Sequence, residues 1–234
     1  MTFKVPLISV FLAASLGAAG SQAASTAPAG QQFGFTEAQG IVDKSVNVID
    51  KMRSVPGMDA LLRKARGVLI VPNYLRAALI VGGQGGMGVL MVQKAGRWRG
   101  PAFFAISGLS VGFQAGGDAG AVAYVLMADR AVRELENRNS TFRLGADAGL
   151  AVARYSNSVS TADVVVWTAT EGLFGGAAFG GTDVASNYRL NQVYYHEPVS
   201  VHQIFDNPMH NPLADRLQMA LTARAGAPRS KTAE

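Results

Sequence analysis

Val68-Leu69-Ile70-Val71 and, a little further on, Gly82-Gly83-Gln84-Gly85-Gly86-Met87-Gly88 running straight into Val89-Leu90-Met91-Val92-Gln93 is the stretch on which the fold turns. The apolar, β-branched runs have the length of buried strands, and nothing in them repeats at helical spacing. Glycine inside a strand costs stability, so a glycine cluster there marks bulges, sharp coiling or the close approach of another segment. Outward from this stretch, Ala77 to Val81, Pro101 to Ser107, Ala121 to Met127, Phe142 to Ala153, Ala162 to Thr170 and Leu173 to Phe179 read as further strands, separated by Gly, Pro, Asn or Asp. A second glycine group, Gly175, Gly176, Gly180 and Gly181, falls near the last of them. The reading predicts an α+β fold with a glycine-rich antiparallel, barrel-like sheet of about seven or eight strands, N-terminal amphipathic helices and a short C-terminal helix. One helix, roughly Asp129 to Asn137, interrupts the strands.

Before the sheet, Thr36 and Glu37 open a helical pattern that reaches Val55. On its wheel Ile41, Val42, Val46, Val48, Ile49, Met52 and Val55 share one half, with Asp43, Asn47, Asp50 and Ser54 opposite. Lys44 and Lys51 sit one heptad apart at the edge of the apolar arc, where their stems can snorkel toward lipid headgroups; packing of the helix on its own domain is the competing reading. Pro56-Gly57 breaks the pattern, a short helix from about Met58 to Ala65 follows, and Arg63, Lys64 and Arg66 lie at its end, where cations complement the helix dipole. At the other terminus Asn211 reads as an N-cap with Pro212 at the first helical position and Leu213, Leu217 and Leu221 on one stripe.

The 234 residues are 49% apolar and 16% charged, which excludes disorder, and the 27 glycines have no collagen-like period. Without cysteine there is no disulfide framework, thiol nucleophile or cysteine-ligated zinc. Lys4, the uncharged stretch Val5 to Ala19 and Ser21-Gln22-Ala23 form an export signal with cleavage expected after Ala23. Fifteen apolar residues fall short of the ~20 that span a bilayer, so the expected place is outside the cytoplasm, periplasmic or envelope-associated and peripheral. From residue 40 to 100 there are ten Lys and Arg against three acids, a net of +7; from 101 to 198 the net is -3. Such a block of positive charge suits an anionic partner. Export removes nucleic acid from the expected partners.

Several stretches imitate chemistry. Gly83 to Gly88 spells G-x-G-x-x-G, but a dinucleotide site needs a helix to start there and an acid for the ribose; Val89 continues a strand, and no acid occurs between Asp59 and Asp118. Gly108-Leu109-Ser110-Val111-Gly112 spells the G-x-S-x-G of a nucleophile elbow, which needs a strand, a sharp turn and a helix, while Phe113-Gln114-Ala115-Gly116-Gly117 is poor helix material. His202, Asp206 and His210 have helical metal-ligand spacing, interrupted by Pro208, and His196 stands beside Pro198. Neither catalytic residues, a metal nor a cofactor is expected. Arg97-Trp98-Arg99 pairs an aromatic suited to an interface with guanidinium groups suited to phosphate. The alternative is Trp98 folded back onto the sheet.

Leu61-Leu62-x-x-Ala65-x-Gly67-Val68-Leu69-Ile70-Val71-Pro72, then Gly82-Gly83-Gln84-Gly85-Gly86-x-Gly88, Gly96-x-Trp98-x-x-Pro101-Ala102, Gly112-Phe113-Gln114-Ala115-Gly116 and Glu171-Gly172-Leu173-Phe174-Gly175-Gly176 together resemble the SYLF domain family, over roughly residues 57 to 195. The resemblance implies a non-enzymatic domain with a small β-rich core that binds phosphoinositides or other acidic phospholipids through an N-terminal amphipathic helix and nearby basic residues. It places Arg63, Lys64 and Arg66 at the matching position. Some family members bind actin; an exported chain would not meet it, so actin is not an expected partner. The division that follows is a signal peptide at 1–23, a linker at 24–35, a SYLF-like lipid-binding domain at 36–198 and a C-terminal helical tail at 199–234. The lipid-binding candidates are Lys44, Lys51, Arg63, Lys64, Arg66, Arg97, Trp98 and Arg99. The alternatives are a scaffolding envelope protein with a protein partner and a hydrolase using Ser110; a membrane-spanning barrel fails because the strands lack aromatic girdles.

Overall fold

The computed structural model describes residues 29–78, 81–111, 116–137, 142–145, 151–155, 162–169, 181–207, 209 and 211–222. The expected export signal, His210, the 173–179 strand and the glycines at 112 and 175–180 lie outside the described residues.

Helices α1 (Ala29–Arg53) and α2 (Met58–Lys64) lead into the strands β1 (Gly67–Ala78), β2 (Val81–Lys94), β3 (Arg97–Val111) and β4 (Gly116–Leu126). Then come α3 (Asp129–Asn137), β5 (Phe142–Gly145), β6 (Val152–Arg154), β7 (Val164–Thr168), β8 (Gly181–Ser186), α4 (Tyr188–Tyr195), α5 (Val201–Asp206) and α6 (Pro212–Thr222). The eight strands form one sheet in the order β5-β8-β3-β2-β1-β4-β7-β6, antiparallel throughout except where β6 runs parallel to β7. The fold is α+β. The sheet is not closed into a barrel among the described residues: β5 and β6 are its two edges. The physical reason is that helices, not opposing strands, cover the sheet, so its edges need not meet.

Both faces are buried, which is why the strands read as continuous apolar runs rather than as alternating ones. Alternate residues divide between the faces. Leu69, Val71, Leu90, Val92, Phe104, Tyr124 and Val166 share a core with Leu135 of α3 and Ile204 and Phe205 of α5. Val68, Ile70, Met91, Phe103, Val125 and Trp167 share the other with Ile49 and Met52 of α1, Leu62 of α2, Tyr194 of α4 and Leu217 and Leu221 of α6. The apolar arc of α1 is thereby consumed within the domain, and the competing reading of that helix holds.

The glycines of β2 lie in the strand itself, paired with β3 from Gly82↔Ser110 to Gly88↔Phe104. A Cβ on Gly88 would stand 2.6 Å from the Ile70 carbonyl oxygen and 2.9 Å from Val71 Cγ2, and Gly86 would meet the Asn73 carbonyl. Close approach to β1 is thus what requires glycine at 86 and 88, and the Ile106 carbonyl of β3 requires it at 85. The same register disposes of both false motifs: the glycine segment starts no helix, and Ser110 sits in a paired strand whose next described element is strand β4, not a helix.

Candidate functional site

The two basic segments, 63–66 and 97–99, are brought to one end of the sheet by backbone bonds. Arg66 N donates to Leu126 O at 2.7 Å and Gln93 N donates to Arg66 O at 2.8 Å, which ties the α2–β1 joint to the ends of β4 and β2. The hairpin at Ala95 and Gly96, both with positive φ, then sets Arg97 opposite Lys94. Helix α1 ends here too. Arg53 donates to Ala220 O at 2.9 Å and Leu221 O at 2.8 Å, capping α6, and pairs with Asp59 of α2.

The cations at this end divide by partner. Arg53 is spoken for, Arg66 pairs with Asp129 at 3.3 Å, and Lys94 contacts Asp206 at 2.6 Å and Glu136 at 3.0 Å, holding β2, α3 and α5 together. Burial works against the charge on Lys94, but the hydrogen bonds it donates to Asp206 and Glu136 outweigh it and its pKa is raised; the same Lys94 contact holds the Asp206 carboxyl below its ordinary value. Lys51, Arg63 and Lys64 are exposed and, with Arg97 and Arg99, have no ion-pair partner among the described residues. These are the charges free to meet an outside anion.

Beside the hairpin, between it and the α5–α6 segment, lies a cleft of about 460 Å³ whose walls include Arg97, Trp98, Arg99, Asn207, Asp215 and Gln218. Arg99 Nε is cut off from solvent and has no hydrogen-bond acceptor. A buried donor left in that state costs about 1–3 kcal/mol. Trp98 shows only 7% of its surface and belongs to the core with Leu217 and Leu221. It is a packing residue with one edge on the cleft, not an aromatic held out at an interface. The cause is a register shift between Leu90 and Val92, which puts Trp98 and Phe103 on the same face of β3 despite their odd spacing.

Lys44 stands apart from the other candidates. It lies seven residues, ~10 Å, up the helix from Lys51, and its Nζ donates to the Asn73 side-chain oxygen at 3.0 Å with that amide in its bonded orientation. His202 Nε2 contacts Asp206 at 2.7 Å within α5, and no cluster of three potential metal ligands occurs among the described residues. No described helix is long and apolar enough to cross a membrane. Asn207, Asp215 and Gln218 reach the site only through the fold; their sequence neighbourhoods carry no signal.

Residues 107–224, half of the chain, match the family described as Ysc84, a Las17-binding protein actin regulator. The chain belongs to the Ysc84 (SYLF) family. Relatives of the same kind are the SH3 domain-containing YSC84-like protein 1 of Bos taurus, 25% identical over 160 residues, and that of Homo sapiens, 26% identical over 152 residues. These alignments cover 65% and 62% of this chain but only 46% and 44% of the relatives, so the chain spans less than half of their length. No solved structure matches significantly. The Ysc84 match runs through α5 and α6, the helices that complete the two cores and wall the cleft.

Proposed function

We propose that this Ysc84-family chain is a non-enzymatic module that docks reversibly on anionic phospholipid, with the basic end of the sheet facing the membrane. The observation that carries the reading is the gathering of Lys51, Arg63, Lys64, Arg97 and Arg99 at one end of a rigid domain without internal partners among the described residues. Because the apolar arc of α1 is buried, binding rests on charge rather than on helix insertion. The expected export signal places that surface outside the cytoplasm. Each exposed Lys or Arg near an anionic surface contributes ~1 kcal/mol, screened over a Debye length of ~8 Å at physiological salt.

Liposome cosedimentation tests this. Replacing Arg63, Lys64 and Arg97 together with glutamine should weaken association with phosphatidylserine-containing vesicles by about a hundredfold, at ~1 kcal/mol each. The melting temperature should fall only slightly, since these side chains have no ion-pair partner among the described residues and Arg63 and Lys64 contribute only a helix-end interaction. Equal binding to neutral vesicles, or binding insensitive to salt, would sink the proposal.

A further inference from the structure

Met209 and Asn211 wall two clefts of opposite chemistry. One is the cleft beside the β2–β3 hairpin; the other, of about 590 Å³, lies where α1, the end of α4 and the start of α6 meet. Its walls include Phe35 of α1, Tyr195 at the end of α4, His196 and Glu197 just beyond it, and Met209, and no Lys or Arg stands among the described lining residues. The fold holds the rings in place. Tyr195 donates its hydroxyl to Pro101 O at 2.9 Å, His196 caps α4 with a φ of 60°, and the Phe35 ring lies 5.0 Å from that of His196. Tyr194 is the buried wall behind them, its ring at 83° to that of Tyr195. Phe35, Tyr195 and His196 keep part of their surface open, and Glu197 is exposed.

Aromatic faces attract a cation within ~6 Å of the ring centre, and a carboxylate and the carbonyl end of a helix do the same. The thioether of Met209 is polarisable and adapts to methyl groups. The start of α6 would otherwise favour an anion, but its donors are engaged. Pro212 has no N–H, and the N–H groups of Leu213 and Ala214 donate to the side-chain and main-chain oxygens of Asn211 at 3.0 and 2.8 Å. The volume lies within the ~300–1,000 Å³ usual for small-molecule sites.

We propose that this cleft binds a small organic cation carrying a methylated ammonium group, its methyls against Phe35, Tyr195 and Met209 and its charge answered by Glu197. The ligand is free rather than part of a choline lipid, because the phosphate that adjoins the ammonium there would be brought up to Glu197 and repelled. The inference does not rest on the membrane reading.

Isothermal titration calorimetry on the full chain tests it, with choline, tetramethylammonium, phosphocholine and 3,3-dimethylbutanol, the uncharged isostere of choline, as separate probes. Choline and tetramethylammonium should bind saturably, and the isostere about tenfold more weakly, since it lacks the charge that the rings and Glu197 attract. Phosphocholine should also bind more weakly than choline. Glu197→Gln, at an exposed position, should weaken choline several-fold and leave the isostere unaffected. Phe35→Leu should weaken both cations, and Phe35→Tyr, which keeps a ring, should restore them. The inference is overturned if neither cation binds, if the isostere or phosphocholine binds as well as choline, or if Glu197→Gln and Phe35→Leu both behave as the parent chain. Sedimentation with phosphatidylserine vesicles would survive each of those results, and its loss would strike the membrane reading instead.

Discussion

The two ends of the sheet solve the same packing problem in opposite ways. At the β1 start, Val68, Ile70, Met91 and Val125 meet α1 and α2 with side chains on side chains, and the charged residues gather at the rim. Toward the other end of β2, Gly86 and Gly88 leave room for the carbonyls and valine of β1 to come in directly. One end is filled by helices and presents cations; at the other, backbone leaves no space for a Cβ on Gly86 or Gly88. The difference teaches that the glycine cluster is a packing device rather than a phosphate loop, and that function should be sought at the end where side chains are in surplus.

The sharpest way to break the comparison is to add atoms at the crowded end. Gly88→Val should be strongly damaging, because the Ile70 carbonyl 2.6 Å away from the new Cβ is backbone and cannot turn aside. Overpacking of this kind costs about 1–3 kcal/mol and more when the obstacle is rigid, so the variant is expected to be largely unfolded by denaturant titration. Gly83→Val, with nothing within 4 Å of its Cβ, should fold like the parent. A normal unfolding midpoint for Gly88→Val would end the backbone-packing account.

At the basic end, Trp98→Ala separates packing from membrane contact. As a core residue Trp98 should cost ~3–5 kcal/mol when truncated, seen as a lower denaturant midpoint. If stability were unchanged and only vesicle binding fell, the tryptophan would belong to the surface after all.

The smallest effect is on pH. Asp163 lies below its ordinary value of 3.8 because Arg130 donates to it, aided by the Ala151 amide, and Asp206 lies below its own because Lys94 does. A carboxyl depressed in the folded state contributes stability that is complete above its unfolded value and lost as the pH falls through the folded one. The denaturant midpoint should therefore be flat from about pH 7 to about pH 5 and decline below about pH 4. Asp163→Asn should lower the plateau and make that decline shallower; an equally steep decline would show that other groups carry it.

Much of this was open to a reader of the sequence. The α3 boundaries, the Asn211 cap that accepts from Leu213 N at 3.0 Å, and the strand character of 68–71, 89–93 and 101–107 follow from local pattern. Helices α4 and α5 were also marked locally, by Asn187 accepting from Leu190 N and by the Ser200–Gln203 capping box, but each is too short for apolar periodicity to announce it. The expected strand at 142–153 is instead β5 and β6, on opposite edges of the sheet, a separation that no local pattern encodes.

What the sequence determined by itself was composition and period: strands where β-branched runs recur, glycine where a side chain is barred, and a surplus of positive charge in the 40–100 segment. The tertiary structure alone decided which of those charges are free. Lys94 is bound to residues 42 and 112 positions distant, Arg53 to a helix end 167 positions away, and Arg97 and Arg99 reach a common cleft with Gln218. Ion pairing and desolvation depend on distance in space, and over such separations only the folded chain sets that distance.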